Sequence, residues 1–231
     1  MYDKMTKERF QKIVAMLQRR QPDLTVIMEG VHKPHNLAAI ARSCDAVGVS
    51  DIHAITPKKE LGIKKGVAMG SNRWLDMHLH PTTEEIALSL KKEGYQIIAA
   101  DFNDRAQDYR RVDYTRPTAL VVGQELFGVS ETTLALADQS IYIPMKGMVQ
   151  SLNVSVATAI VLYEAHNQRE QGGMYERCPW DRETFRKILF EKCYPDEAKK
   201  YKKRGEPYPE LDENGHIIDP SLGNFSKRGY P

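Results

Sequence analysis

The feature that most limits the fold of this chain is a repeated alternation of short apolar segments with helical segments. Strand-like runs lie at residues 24–31, 51–56, 75–80, 96–100 and 118–122, and patterns with helical spacing follow most of them. Such an order is typical of an α/β domain, because each strand needs a crossover before it can pair in parallel with the next. We therefore predict a mostly parallel sheet with helices on both faces.

The last strand and helix of this series have an unusual junction. The segment IYIPMKGMVQSLNVSVATAIVLYE, residues 141–164, predicts a strand through Ile143, a loop after Pro144 and a long helix opened by Ser151. The helix is so apolar that we predict burial on most of its circumference. Its first turn nevertheless carries Ser151, Asn153 and Ser155 beside free backbone N–H groups, where polar side chains serve either as a cap or as ligand contacts.

Composition indicates a single soluble domain with appendages. A chain of 231 residues suits one domain of about 150–200 residues. No apolar run approaches the roughly 20 residues of a membrane helix, and the first residues lack the pattern of a signal peptide, so we expect a cytoplasmic protein. Cys44, Cys178 and Cys193 have neither the number nor the spacing of a disulfide framework or a zinc site.

Basic residues form three clusters although the net charge is only +2. They lie in an amphipathic helix predicted at residues 6–20, in a loop at residues 58–73 that has no apolar period, and in the KKYKKR of residues 199–204. The clusters fit either an electrostatic footprint for nucleic acid or ordinary solvated faces. We divide the chain into an N-terminal basic helix (1–22), a sheet domain (23–170) and a C-terminal extension (171–231).

Several common active sites are absent from the sequence. There is no G-x-G of a dinucleotide fold, no GxxxxGK[ST] phosphate loop and no G-x-S-x-G nucleophile elbow. His32 and His35, like His78 and His80, have no nearby carboxylate or cysteine to complete a metal site, so they are interpreted as ordinary polar residues.

What remains is a set of polar and glycine residues that follow apolar strands. Open α/β sheets bind ligands at the carboxyl ends of their strands. The candidates are Asn36 at the expected cap of the helix after the first strand, Arg42 within that helix, Gly123 and Glu125 after the strand at 118–122, and Ser151 with Asn153 after the last strand.

In this order the candidates match the three motifs of the SpoU branch of the knotted RNA methyltransferases, and the chain resembles that family over residues 24–167. The motifs are the N-x-x-x-x-x-R from Asn36 to Arg42, VVGQELFGVS, and IPMKGMVQSLNVSVATAI. The third is the most specific, because its SLNVSVA core is long. The second has Gln124 where the family commonly has Asn, but it keeps Glu125 and Gly128. The flanking RRQPDLTV and the tail resemble the family members that modify guanosine 18 of tRNA.

The resemblance implies a fold, a cofactor and an assembly. It implies a deep C-terminal trefoil knot, the SPOUT fold, with S-adenosyl-L-methionine held by backbone loops at Ala100, Gly123, Ile143 and Leu152. It also implies a homodimer with the long apolar helix, near residues 157–163, at or beside the interface. No metal is implied, because the sulfonium methyl is already activated.

The resemblance further implies an activity, which is methyl transfer to the ribose 2′-hydroxyl of guanosine 18 in the D-loop of tRNA. Arg42 is then the essential catalytic residue, which we interpret as a guanidinium that binds phosphate and stabilises alkoxide character. Asn36, Ser151 and Asn153 would line the ribose, and Glu125 would anchor the intervening loop.

Two alternatives stay open beside the tRNA activity. One is ribose methylation at another tRNA or rRNA site, and the other is a non-catalytic RNA-binding or chaperone protein of the same fold. Members of the family that modify ribosomal RNA commonly carry a separate N-terminal RNA-binding domain, whereas only one helix is predicted before the first strand here, so the resemblance favours tRNA over rRNA. The KKYKKR segment and Tyr194, Tyr201 and Tyr208 would supply phosphate contacts and possible base stacking.

Overall fold

The computed structural model describes residues 5–56, 74–124 and 127–218, and it contains one seven-stranded sheet. All the strand pairs are parallel, in the order β3-β2-β1-β6-β4-β7-β5. The strands are β1 Leu24–Glu29, β2 Asp51–Ile55, β3 Asp76–His80, β4 Gln96–Ala100, β5 Gln107–Asp108, β6 Thr118–Val122 and β7 Gln139–Tyr142. The predicted parallel α/β sheet is confirmed.

Helices cover both faces of the sheet, as predicted. The helices are α1 Lys7–Gln18, α2 Pro34–Ala46, α3 Thr83–Lys92, α4 Glu131–Leu136, α5 Val154–Gln171, α6 Arg182–Cys193 and α7 Pro195–Arg204. One apolar cluster joins α2 and α5 to the sheet, and a second joins it to α3 and α4. Within the part of the chain that the structure describes, no helix has the length and apolar content needed to cross a membrane. The basic segment 58–73 lies outside that part.

Helix α5 is buried along one side only, so the prediction of burial on most of its circumference is wrong for the single chain. Val156 is 47% exposed and Tyr163 is 53% exposed. The buried side carries Val154, Thr158, Val161, Leu162, Ala165 and Arg169. An apolar sequence therefore leaves an apolar outer face on this helix.

Residues of the flanking RRQPDLTV segment form buried contacts that stabilise the fold. Arg169, fully buried near the end of α5, forms an ion pair with Asp23 at 2.5 Å and donates to Gln21 Oε1 at 3.0 Å. Arg20 is also buried, and it donates to Asp45 Oδ1 at 2.7 Å and to the Val49 carbonyl at 2.8 Å. Buried guanidinium groups need such complete pairing. Arg20 is therefore not part of an exposed basic surface.

The chain divides into two compact units, Arg19–Pro179 and a smaller one that joins the segment up to Gln18 with the segment from Trp180. In the smaller unit, the helical pattern near residues 181–201 is two helices, because Pro195 begins a new one. Tyr194, Tyr201 and Tyr208 surround Phe190, with ring centroids 4.7 to 5.9 Å away. These tyrosines build the core of the unit, and Tyr208 stacks on a protein ring where we expected an RNA base.

Three histidines lie together on one face of β2 and β3. His53 Nδ1 is 3.0 Å from His80 Nε2, and His78 Nε2 is 2.7 Å from Asp51 Oδ1. Burial, followed by the charges of His80 and His78, lowers the pKa of His53 to about 3. Burial and His78 also lower the pKa of His80, against the opposing effect of Glu85. Within the cluster, His53 and His80 are therefore favoured in their uncharged forms.

This cluster predicts a pH dependence of folding. Below an ordinary histidine pKa of 6.5 the unfolded chain binds protons that the folded His53 does not, down to a pH of about 3. The free energy of unfolding should therefore decrease as the pH is lowered through this window, by on the order of a few kcal/mol. His53→Leu should flatten this dependence in urea titrations between these pH values, whereas the exposed His35→Gln should leave it unchanged. An equally steep dependence in His53→Leu would contradict the assignment.

Candidate active site

The first and third motifs meet at a hydrogen bond between two asparagines. Asn36, only 2% exposed, accepts at Oδ1 from Nδ2 of Asn153 at 3.2 Å. The two residues are 117 positions apart in sequence, and they are brought together by the packing of α2 against the start of α5. This contact supports the predicted proximity of the two motifs.

The helix caps differ from those predicted. Asn36 was expected to cap α2, but the helix begins at Pro34, whose fixed φ suits a first helical position, and Asn36 lies in the first turn. Ser151 was expected to open α5, but Asn153 is the cap and accepts from the backbone N–H of Ser155 at 2.9 Å. Ser151 lies two residues earlier and is exposed. Asn153 therefore both caps α5 and binds Asn36.

Arg42 is separate from this asparagine pair. It lies on α2, six residues and about 9 Å along the helix axis from Asn36. Its side chain is exposed and forms no ion pair or hydrogen bond with the described residues. Nearby, burial raises the pKa of the Cys44 thiol, which keeps it protonated. The exposed guanidinium has all its donors available for a ligand.

Two residues of the second motif, Gln124 and Gly128, pair with each other after β6. The backbone N–H of Gln124 donates to the Gly128 carbonyl at 3.0 Å, and the N–H of Gly128 donates back to the Gln124 carbonyl at 2.9 Å. Gly123 packs so tightly that a Cβ added there would lie 2.0 Å from the Gly128 carbonyl oxygen. Glu125 lies outside the described residues, so its anchoring role stays a prediction. The loop offers main-chain atoms at Gly123, where no side chain fits.

The residues predicted to hold the cofactor follow three neighbouring strands. Ala100 ends β4, Gly123 follows β6 and Ile143 follows β7, and these strands are adjacent in the order β6-β4-β7. The register pairs Ala100 with Val122 on one side and with Ile141 on the other. Leu152 is half-buried just before the cap of α5. The carboxyl edge of the sheet therefore presents Ala100, Gly123 and Ile143 side by side.

Two acidic residues at this edge belong to none of the three sequence motifs and were not predicted. Glu29 ends β1 and accepts from Ser130 and Thr133 side chains, while Asp101 follows β4 and accepts from the Val129 backbone N–H. Like the predicted site residues, each stands at the carboxyl end of an apolar strand, where open α/β sheets bind ligands.

Comparison with known proteins gives consistent matches over most of the chain. A model of the SpoU rRNA Methylase family matches residues 23–163, and one of the C-terminal SpoU rRNA methylase region matches residues 167–220. The chain is 49% identical over 215 residues to the tRNA (guanosine(18)-2'-O)-methyltransferase of Escherichia coli K12, covering 92% of this chain and 94% of that protein.

Two solved structures are also similar. The TrmH/SpoU tRNA modifying enzyme of Aquifex aeolicus has a TM-score of 0.76 at 43% identity, covering 82% of this chain and 97% of that one. The SpoU methyltransferase AviRb of Streptomyces viridochromogenes, in complex with AdoMet, has a TM-score of 0.56 at 28% identity, covering 66% of this chain and 63% of that one.

Proposed function

The chain belongs to the SpoU rRNA methylase family, and from this premise we propose that it methylates the ribose 2′-hydroxyl of guanosine 18 in the D-loop of tRNA. The observation that carries the proposal is its 49% identity to an enzyme of that activity along 92% of this chain. The methyl donor is S-adenosyl-L-methionine, whose sulfonium supplies an electrophilic methyl group when it is bound.

The carboxyl edge of the sheet fits this donor. Ala100, Gly123 and Ile143 follow adjacent strands, and Gly123 has no room for a Cβ, so recognition there must use the main chain. Leu152 stands close in sequence to the asparagine pair. Main-chain recognition also accounts for the missing G-x-G fingerprint. The trefoil knot stays a prediction, supported by the position of β7 between β4 and β5.

Arg42 is the proposed catalytic residue. A ribose hydroxyl is a poor nucleophile at neutral pH, so catalysis requires positioning and stabilisation of the negative charge that develops on its oxygen. A guanidinium presents a planar fork that binds phosphate while directing donors at an alkoxide. Arg42 is exposed and has no partner among the described residues, which supports this role.

Asn36, Asn153 and Ser151 are the proposed residues at the ribose. Asn153 uses Oδ1 to cap α5 and Nδ2 to bind Asn36, so its amide orientation is fixed by partners on both sides. Ser151 is exposed two residues before Asn153 and has its hydroxyl available. Glu125 is proposed to anchor the loop between them, as the motif implies.

The smaller unit is proposed to bind the tRNA backbone. Three basic residues of α7 are engaged with acids, in the pairs Lys199–Asp196, Lys200–Glu197 and Arg204–Glu206. Lys202 and Lys203 are exposed and pair with no acid among the described residues. They are therefore the proposed phosphate contacts of the KKYKKR segment.

The exposed face of α5 supports a homodimer. Val156 and Tyr163 are apolar or aromatic residues about half exposed on a helix whose opposite side is in the core. Val156→Glu should convert a dimer into monomers, because a carboxylate would be buried without a partner. Sedimentation velocity measures this change, with Glu170→Gln, at an exposed position near the other end of the helix, as the control. A chain that sediments as a monomer before substitution would contradict the proposal.

A pair of tRNA transcripts tests the proposed substrate. The purified protein should transfer label from S-adenosylmethionine to an unmodified transcript. It should fail with a matched transcript that carries 2′-deoxyguanosine at position 18, because the acceptor oxygen is missing. Equal labelling of both transcripts would place the methyl group elsewhere. Labelling of ribosomal RNA alone would favour the rRNA alternative.

A further inference from the structure

The loop of the second motif leaves the sheet between two strands that each provide a carboxylate. Strand β6 lies between β1 and β4, and it is followed by the second motif, in which Gln124 and Gly128 are joined by two main-chain hydrogen bonds. Glu29 stands at the carboxyl end of β1, and Asp101 directly follows β4. The two carboxylates therefore flank the loop from both neighbouring strands.

Glu29 binds the exit of this loop with both of its oxygens. Oε2 accepts from the backbone N–H of Ser130 at 3.0 Å, and Oε1 accepts from the Ser130 hydroxyl at 2.8 Å. Oε1 also accepts from the hydroxyls of Thr133 at 2.9 Å and Thr83 at 3.0 Å. Glu29 thus joins the end of β1 to the first turns of α3 and α4.

Asp101 binds Val129, the residue that precedes Ser130. Its Oδ2 accepts from the backbone N–H of Val129 at 3.2 Å, and a Cβ added at Gly128 would lie 2.6 Å from the same oxygen. Gly30, the residue that follows β1, is similarly close to Gln124, since a Cβ at Gly30 would lie 2.4 Å from the Gln124 side chain. Consecutive backbone N–H groups at 129 and 130 are therefore held by carboxylates from opposite sides.

We infer that Glu29 and Asp101 are positioning residues for the cofactor, which act by fixing the main chain of residues 128–130 against Gly123. The inference rests on the proposed function, because that function assigns Gly123 to the cofactor. A site that recognises its ligand through main-chain atoms has no side-chain rotamers to adjust, so its affinity depends on how rigidly the loop is held. Neither carboxylate needs to touch the cofactor or the RNA for this role.

Glu29→Gln is the direct test. Four donors face the Glu29 carboxylate, so an amide of the same shape directs N–H groups at one or more of them. The dissociation constant for S-adenosylhomocysteine, measured by calorimetry, should rise about tenfold or more. The KM for S-adenosylmethionine should rise similarly, while kcat at saturating cofactor stays near its original value. Hydrogen exchange at the Val129 and Ser130 amides should accelerate.

Asp138→Asn is the matched control. Asp138 also holds a backbone N–H, that of Ile97 at 2.7 Å, and a side chain, that of Lys91 at 2.8 Å, but it does so at the amino end of β4. This substitution should cost thermal stability without changing cofactor affinity. If Glu29→Gln fails to fold, Asp101→Asn provides the same test at Val129.

The outcomes separate the inference from the function on which it rests. An unchanged protein that binds neither S-adenosylhomocysteine nor S-adenosylmethionine would overturn the proposed function. Suppose instead that the protein without substitutions binds them, and that Glu29→Gln and Asp101→Asn fold and bind with equal affinity. This result would overturn only the positioning role. Equal weakening by Asp138→Asn would also overturn it, since the effect would then reflect stability in general.

Discussion

Replacing Arg42 with lysine is expected to lower the rate of methyl transfer by about 100-fold or more, while the affinity for cofactor stays close to its original value. Lysine keeps the charge but loses the planar fork that contacts a phosphate and a developing alkoxide together. Because Arg42 is exposed and has no partner among the described residues, its loss should leave the melting temperature nearly unchanged.

The measurement is single-turnover transfer to a tRNA transcript, with cofactor affinity determined separately by calorimetry. Arg116→Lys is the control, since Arg116 is also exposed but precedes the amino end of β6, at the opposite edge of the sheet. A lysine variant at position 42 that transfers methyl groups as fast as the unchanged chain would remove Arg42 from the mechanism.

Replacing Gly123 with alanine is expected to abolish measurable cofactor binding, with a loss of affinity of about 100-fold or more. The added Cβ would lie 2.0 Å from the Gly128 carbonyl oxygen and 2.5 Å from the Val129 nitrogen. Both atoms belong to the main chain, so the overlap is relieved only if the second-motif loop opens.

Gly172→Ala is the matched control for this change. The nearest atoms to a Cβ at Gly172 are 3.4 Å away, and its φ of -79 suits any residue. Calorimetric titration with S-adenosylhomocysteine should give unchanged affinity for Gly172→Ala and none for Gly123→Ala, while circular dichroism checks that both variants are folded. Unchanged affinity in Gly123→Ala would show that the cofactor does not depend on this loop.

The strands, and the helices that cover both faces of the sheet, are predictable from local sequence patterns. The order of the strands within the sheet is not. Alternation of apolar and helical segments predicts a parallel sheet, and the five strands predicted before the last one are present with nearly the predicted bounds. The placement of β7 between β4 and β5 depends on contacts between distant segments. Strand β5 has only two residues, which is too short for any period to reveal.

The errors at the site have local physical causes. Both Ser151 and Asn153 are good caps, and the choice between them depends on the hydrogen bond that Asn153 makes with Asn36. The apolar helix α5 looks like a core helix because its composition does not reveal that Val156 and Tyr163 are left exposed on the side away from the sheet. Glu29 was not predicted as a site residue because a single acidic residue at the end of a strand does not form a recognisable motif.

The basic residues show most clearly that the sequence alone does not reveal which charges are exposed and unpaired. Arg19 and Arg20 look alike in sequence, yet Arg20 is buried against Asp45, Val49 and Trp74. In α7 the acids at 196 and 197 neutralise Lys199 and Lys200. A count of positive charges therefore overestimates the surface available to RNA.

The most direct test of the central claim is to locate the methyl group on the RNA. The purified protein is incubated with S-adenosylmethionine and an unmodified tRNA transcript, and the product is digested and analysed by mass spectrometry. We expect a single 2′-O-methylguanosine at position 18 of the D-loop. A methyl group on a base, or on the ribose of a different nucleotide, would contradict the account.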